Sequence, residues 1–105
     1  TVDSTMDRAR LLAEQGAPEG LIVLAERQTK GRGRFDRKWV SSMGRDLLFS
    51  VVVRPEAEFL AMCNMAATIA VQDVATAVTG KTATMKWPND VMIFGRKVSG
   101  IHETR

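Results

Sequence analysis

Three short segments of this chain carry side chains whose types and spacing suit chemistry on an anion. The first is Gly31-Arg32-Gly33-Arg34-Phe35-Asp36-Arg37-Lys38-Trp39. Gly31 and Gly33 let the backbone approach a ligand and aim N–H groups at it. Arg32, Arg34 and Arg37 supply planar forks that fit phosphate or carboxylate. Trp39 offers an apolar face on which a base can stack. Neither a Walker A loop nor a dinucleotide fingerprint is present, since Asp36 stands where the third glycine of the latter belongs. The plainer alternative is a solvated basic loop without a specific ligand.

The second segment is Lys86-Trp87-Pro88-Asn89-Asp90. Asn89 and Asp90 are either turn formers or polar groups that serve ribose, phosphate or a magnesium-bound water. The third is Lys97-Val98-Ser99-Gly100-Ile101. On a regular strand Lys97, Ser99 and Ile101 share one face, with Val98 and Gly100 on the other. Gly100 in a strand suggests that something approaches the backbone there. Lys97 is either an exposed hairpin lysine or a charge aimed at a transferring group.

The elements that must position these segments follow from periodicity and punctuation. Ser4 is an N-cap, with Asp7 three residues on as an approximate capping box. Met6, Ala9, Leu12 and Ala13 follow at helical spacing, and Gly16 and Pro18 end the helix. Leu21 to Glu26 and Leu47 to Arg54 read as strands on either side of the basic loop. Phe59 to Val78 reads as a long, largely buried helix closed by Gly80. Thr82 to Trp87, Val91 to Phe94 and Lys97 to Ile101 read as strands. Gly95-Arg96 between the last two predicts a type II′ hairpin. Strands without strict βαβ alternation make this an α+β chain, a sheet with helices on one face. Cys63, the methionines and Trp87 are expected to pack inside, and His102 has no expected catalytic part.

Composition narrows the classes. The chain has 105 residues, 45% hydrophobic and 26% charged, an ordinary globular balance. No apolar run is expected to reach the ~20 residues of a membrane span, and the polar start does not read as a signal peptide. One cysteine and one histidine exclude an internal disulfide, a cysteine-based zinc site and a multi-histidine metal site. The single cysteine also fits a reducing compartment. Residues 27–45 carry seven Lys or Arg against Asp36, a local charge of +6, while the rest of the chain sums to −3. A basic loop on a mildly acidic body points to one anion-binding place. With two glycines, like charges and no hydrophobic periodicity, loop 30–38 is expected to be mobile until an anion arrives.

Asp3-Ser4-Thr5, Glu26 to Arg34 and on to Trp39, Lys86 to Asp90, and Lys97 to Ile101 occur in one order. On these motifs the chain resembles the catalytic domain of biotin protein ligases, in the biotin/lipoate ligase superfamily. The resemblance implies a class II aminoacyl-tRNA synthetase/biotin ligase-like fold, a mixed β-sheet flanked by helices. Residues 1–105 would be an N-terminal, incomplete portion of that domain. It implies activation of biotin with ATP and Mg2+ to biotinyl-5′-AMP. Biotin would then pass to a lysine of a carboxyl carrier domain of a biotin-dependent carboxylase.

Carried over residue by residue, Ser4, Thr5, Gln28, Gly31, Arg32 and Gly100 are expected to serve biotin. Gly33, Arg34, Arg37, Trp39, Asn89, Asp90 and Lys97 are expected to serve the nucleotide. Arg32 lies near carboxylate and phosphate in this reading, and Lys97 at the carboxyl–phosphoryl junction; these two are the candidate catalytic residues. Activation joins two anions, so cations and magnesium at the junction are the chemistry required. No protein-built metal site is expected. His102-Glu103-Thr104-Arg105 departs from the family pattern, and these residues include no DNA-binding helix-turn-helix, so a repressor role is not expected. The rival readings are a lipoate-type ligase, a non-catalytic biotin or biotinyl-AMP binder, and a nucleic-acid module. The last is disfavoured because the charge sits in one glycine-rich loop. A cytoplasmic protein without membrane or nucleic-acid partners is expected, with oligomeric state open.

Overall fold

The computed structural model describes residues 1–32, 37–40 and 44–104. The order is α1 (Thr5–Glu14), β1 (Ile22–Ala25), β2 (Leu48–Val51), α2 (Leu60–Thr79), β3 (Thr84–Lys86), β4 (Asp90–Ile93) and β5 (Arg96–Gly100), with a 3-10 turn at Ala57–Phe59 before α2. This is the α+β composition expected. The strands form two small antiparallel sheets, β1-β2 and β3-β4-β5, and a parallel bridge joins Val2 to Gln28. The chain divides into two compact units, Thr1–Arg54 with the terminal Thr104, and Pro55–Glu103.

In the first unit Ser4 caps α1, its Oγ accepting from the Asp7 backbone N–H at 3.3 Å. The helix lies on β1 and β2. Ala9 on the helix and Ala25, Leu48 and Val52 on the sheet side are buried. Period two along β2 turns Leu48, Ser50 and Val52 toward the helix and leaves Phe49 and Val51 exposed. Arg54 ties down the end of α1, its guanidinium donating to the Ala13 and Ala17 carbonyls at 3.0 and 2.6 Å.

In the second unit α2 packs on β3 and β4. Its stripe of Leu60, Asn64, Thr68, Val71 and Ala75 recurs at helical spacing, with Thr68 fully buried. Gln72 donates to the Ala83 carbonyl at 2.9 Å, and the Ala83 N–H donates to Thr76 Oγ1 at 3.1 Å. The expectation of a largely buried helix fails. Met62, Met65, Ile69, Val74 and Val78 are exposed, because the sheet of its own unit covers only one side and the apolar residues run round both. The expected apolar limit also fails: Ala57–Thr79 spans 23 residues and contains an 18-residue stretch of mean hydropathy 1.3, long and apolar enough, by length and composition only, to cross a membrane. The methionines are not core filler either, none of Met6, Met62, Met65, Met85 and Met92 being buried.

The β4–β5 hairpin corrects two further expectations. Ile93 pairs with Arg96, so the two turn residues are Phe94 and Gly95. Both have positive φ, 50° and 73°, which makes the turn type I′ and not II′. A bulge then interrupts the register: Met92 faces Lys97 and Val91 faces Ser99, leaving Val98 as the extra residue. Cross-strand partners share a face, so Lys97 and Ser99 lie on opposite faces. Strict alternation would have put them on the same one.

Candidate functional site

The first unit gathers one set of the expected residues around the first turn of α1. Thr5 is buried. Its N–H and its hydroxyl both donate to Gln28 Oε1, at 2.8 and 3.0 Å. The Thr5 hydroxyl also lies 2.8 Å from Ser50 Oγ. Gln28 is brought there by the parallel pairing of residues 2–3 with 27–30: Val2 N donates to Arg27 O, Thr29 N to Val2 O and Lys30 N to Asp3 O. Ser50 was not among the residues singled out from the sequence. The available signal was a small polar residue at the inward position between Leu48 and Val52 of an otherwise apolar strand. Ser4 is 2% exposed and spends its hydroxyl on the cap.

Arg32 grips Asp7 through both terminal nitrogens, Nη1 to Oδ2 at 2.9 Å and Nη2 to Oδ1 at 2.5 Å. Asp7 therefore does not reach back to close a capping box; its side chain serves the loop. The Arg32 hydrogen bond is the main cause that holds the Asp7 carboxyl below its ordinary value; desolvation opposes it, and the charges of Arg32, Arg10 and Lys30 help it.

The basic loop is pinched at its neck. Trp39 N donates to Gly31 O at 2.8 Å, and Arg32 bridges antiparallel to Lys38. Gly31 is buried, and a Cβ there would sit 2.6 Å from the Trp39 carbonyl oxygen and 2.9 Å from Gln28 Nε2. The close approach that requires glycine here is of the chain to itself. Arg37 is exposed and Trp39 half-buried. The expected Gly33 and Arg34, and the tip of the loop expected to be mobile, lie outside the described residues.

The second unit gathers the other set on the open face of its sheet. Lys86 pairs in register with Asp90, and Asp90 with Gly100, so the three share a face with Met92 and its partner Lys97. Lys97 Nζ lies 3.1 Å from Asp90 Oδ1. Gly100 adds no side chain beside Asp90, which leaves that edge of the carboxylate open. The opposite face carries Val91, fully buried, and half-buried Ser99.

Asn89 extends the ladder: its N–H₂ group donates to Ile101 O at 2.7 Å, and Ile101 N donates to Asn89 O at 2.9 Å. Its amide thus holds the strand end, and its side-chain oxygen is the group left for another partner. Trp87 is 70% exposed, which overturns the expectation that it packs inside. Among the described residues no group of three or more His, Cys, Asp or Glu side chains is placed to hold a metal ion.

The model of the biotin/lipoate A/B protein ligase family matches residues 1–105. The bifunctional ligase/repressor BirA of Bacillus spizizenii is 38% identical over 102 residues, covering 95% of this chain and 31% of that protein. The biotin–[acetyl-CoA-carboxylase] ligase of Paracoccus denitrificans is 39% identical over 103 residues, covering 94% and 42%. Among solved structures, the biotin protein ligase of Aquifex aeolicus in complex with biotin and ATP superposes with a TM-score of 0.81 at 41% identity, covering 94% of this chain and 41% of that one. The Leishmania major enzyme in complex with biotinyl-5-AMP gives 0.72 at 31% identity, covering 94% and 47%. The chain thus spans between 31% and 47% of the length of these four relatives.

Proposed function

The chain belongs to the biotin/lipoate A/B protein ligase family, and from that premise we infer that it is the N-terminal portion, residues 1–105, of the catalytic domain of an ATP-dependent biotin protein ligase. The observation that carries the reading is the convergence of Thr5, Gln28 and Arg32 on the first turn of α1. A part-buried polar pair suited to an amide-like ring lies there, on the same helix turn as a guanidinium suited to a carboxylate. The relatives named above are biotin ligases, which favours biotin over lipoate.

The reaction has two steps. A biotin carboxylate oxygen attacks the α-phosphorus of ATP; that P–O bond forms, the bond to the β-phosphate bridge breaks and pyrophosphate leaves. A lysine amine of the carrier domain then attacks the acyl carbon of biotinyl-5′-AMP, forming an amide and releasing AMP. Thr5, Gln28 and Gly31 hold the ring system, with Ser4 fixing the helix end they rest on. Arg32 meets the carboxylate and the α-phosphate. Gly33, Arg34 and Arg37 serve the ATP phosphates, and Trp39 packs at adenine. Asn89 and Asp90 serve the nucleotide, and Gly100 leaves room for the ligand beside the strand. Lys97 offsets charge at the carboxyl–phosphoryl junction. Preorganised cations at that point lower the barrier because the two reacting groups are both anionic.

Among the described residues no protein-built magnesium site is formed. The Asp90 carboxylate is engaged by Lys97 and faces Lys86 in register. Magnesium enters as part of the substrate MgATP. The partner is a biotin carboxyl carrier domain, and the compartment is the cytoplasm. The test is the intact mass of such a domain after incubation with biotin, ATP and the natural full-length polypeptide. One added biotinyl group, absent when ATP is omitted, is expected; no added mass would overturn the reading.

A further inference from the structure

We propose that Asp7 is an internal competitor for Arg32: its carboxylate fills the guanidinium fork before an anionic ligand arrives, and the ligand must take the fork from it. The inference rests on the role just given to Arg32.

Asp7 offers Arg32 the same two-oxygen acceptor that a ligand carboxylate would, through both terminal nitrogens. A planar fork accepts one such partner end-on at a time. The pair is also one that can open. The two side chains are 38% and 44% exposed, and an exposed ion pair is weak. A displaced Asp7 is not left stranded. It is solvent-accessible, and the charges of Arg10 in its own helix and Lys30 at the loop's start already act on it. Arg10 itself pairs with Glu14 at 3.5 Å. Meanwhile the backbone of Arg32 stays tied at the loop neck by its bridge to Lys38, so release moves the side chain and leaves the neck in place. Asp7 thereby holds the guanidinium at the first turn of α1 and lowers its apparent affinity for the ligand by the fraction of time the fork is taken.

The test uses calorimetric titration of biotinyl-5′-AMP into the natural full-length polypeptide. The variants are Asp7→Asn, Asp7→Ala, Arg32→Ala and the Asp7→Asn/Arg32→Ala double substitution. Two replacements at Asp7 guard against one that fails to fold. Both Asp7 variants are expected to bind roughly two- to sixfold more tightly, the range set by the strength of an exposed pair. The gain should vanish when Arg32 is alanine. Unchanged or weaker binding by the Asp7 variants would overturn the inference, as would a gain that survives in the double variant. If Arg32→Ala alone binds like the wild type, the role of Arg32 falls and the inference with it. If Arg32→Ala weakens binding while the Asp7 variants show no gain, only the inference falls.

Discussion

Lys97 and Asp90 meet diagonally across a β-bulge, Nζ to Oδ1 at 3.1 Å, with Lys97 opposite Met92 and Asp90 opposite Gly100. Were Val98 paired in a regular ladder instead of bulged, Ser99 would stand opposite Asp90 and Gly100 would fall one place further on. The bulge therefore sends Ser99 to the buried face, brings Gly100 beside the carboxylate, and keeps Lys97 within reach of it.

Asp90→Asn should cost little stability, less than ~1 kcal/mol, because the Lys97 partner is 43% exposed and such pairs are weak. Urea unfolding measures this. A loss of several kcal/mol would make Asp90 a fold residue and remove the argument that it is held for a ligand.

Gly31→Ala should destabilise by about 1–3 kcal/mol, the usual cost of overpacking. Its Cβ would meet the Trp39 carbonyl at 2.6 Å, a backbone atom that yields only if the loop neck opens. Thermal denaturation should show the loss, and biotin binding should weaken with it through Gln28. A stable variant with unchanged biotin affinity would contradict the pinched neck.

Ser50→Ala removes the hydroxyl paired with Thr5 Oγ1 at 2.8 Å. The expected cost is ~0.5–1.5 kcal/mol for one hydrogen bond in a half-buried place. Biotin affinity should fall too, since Thr5 loses one of the two groups that fix its rotamer. Affinity equal to the wild type would separate Ser50 from the site.

The Asp7 carboxyl should titrate below the ordinary aspartate value of 3.8, because Arg32 hydrogen-bonds its charged form. A depressed carboxyl contributes stability that is present above its unfolded value and lost as pH falls through its folded one. The Asp7 carboxyl is thus fully charged at neutral pH, and its share of the pair's stability is lost only as pH falls below the ordinary aspartate range. Carboxyl chemical shifts followed against pH should show the low midpoint, and Arg32→Ala should raise it. A midpoint at or above 3.8 in the unsubstituted protein would contradict the pair.

What the sequence displayed and what it hid divide along physical lines. Ser4 and the run Ala9, Leu12, Ala13 announced α1, because a cap and a helical stripe are local signals. Gly80 likewise marked the end of α2, where its φ is 70°. The chemistry-bearing residues were legible as types: Thr5 and Gln28 do meet, and Asp90 and Lys97 do meet. Their partners were not. Ser50 reaches Thr5 through a strand pairing 45 residues away in sequence, and nothing local to Ser50 states that. Asp7 looked like a capping residue because its spacing from Ser4 fits one, yet a guanidinium outcompetes a single backbone N–H for a carboxylate. The face of Lys97 was misjudged because a bulge is one residue of irregularity that alternation cannot foresee. The burial of α2 was misjudged for a different reason. Apolar residues on both its sides say only that both sides can be covered, and in its own unit one side is.

The central claim is that this chain brings a biotin carboxylate and ATP together and stabilises their junction with Lys97. Single-turnover pyrophosphate release tests it most directly, with the natural full-length polypeptide in excess over biotin and with ATP present. Release should depend on biotin, and Lys97→Ala should slow it by ~10²–10³, the usual cost of removing one preorganised charge from a transition state. Biotin affinity should change much less. Biotin-independent release, or an alanine variant that releases pyrophosphate at the wild-type rate, would contradict the account.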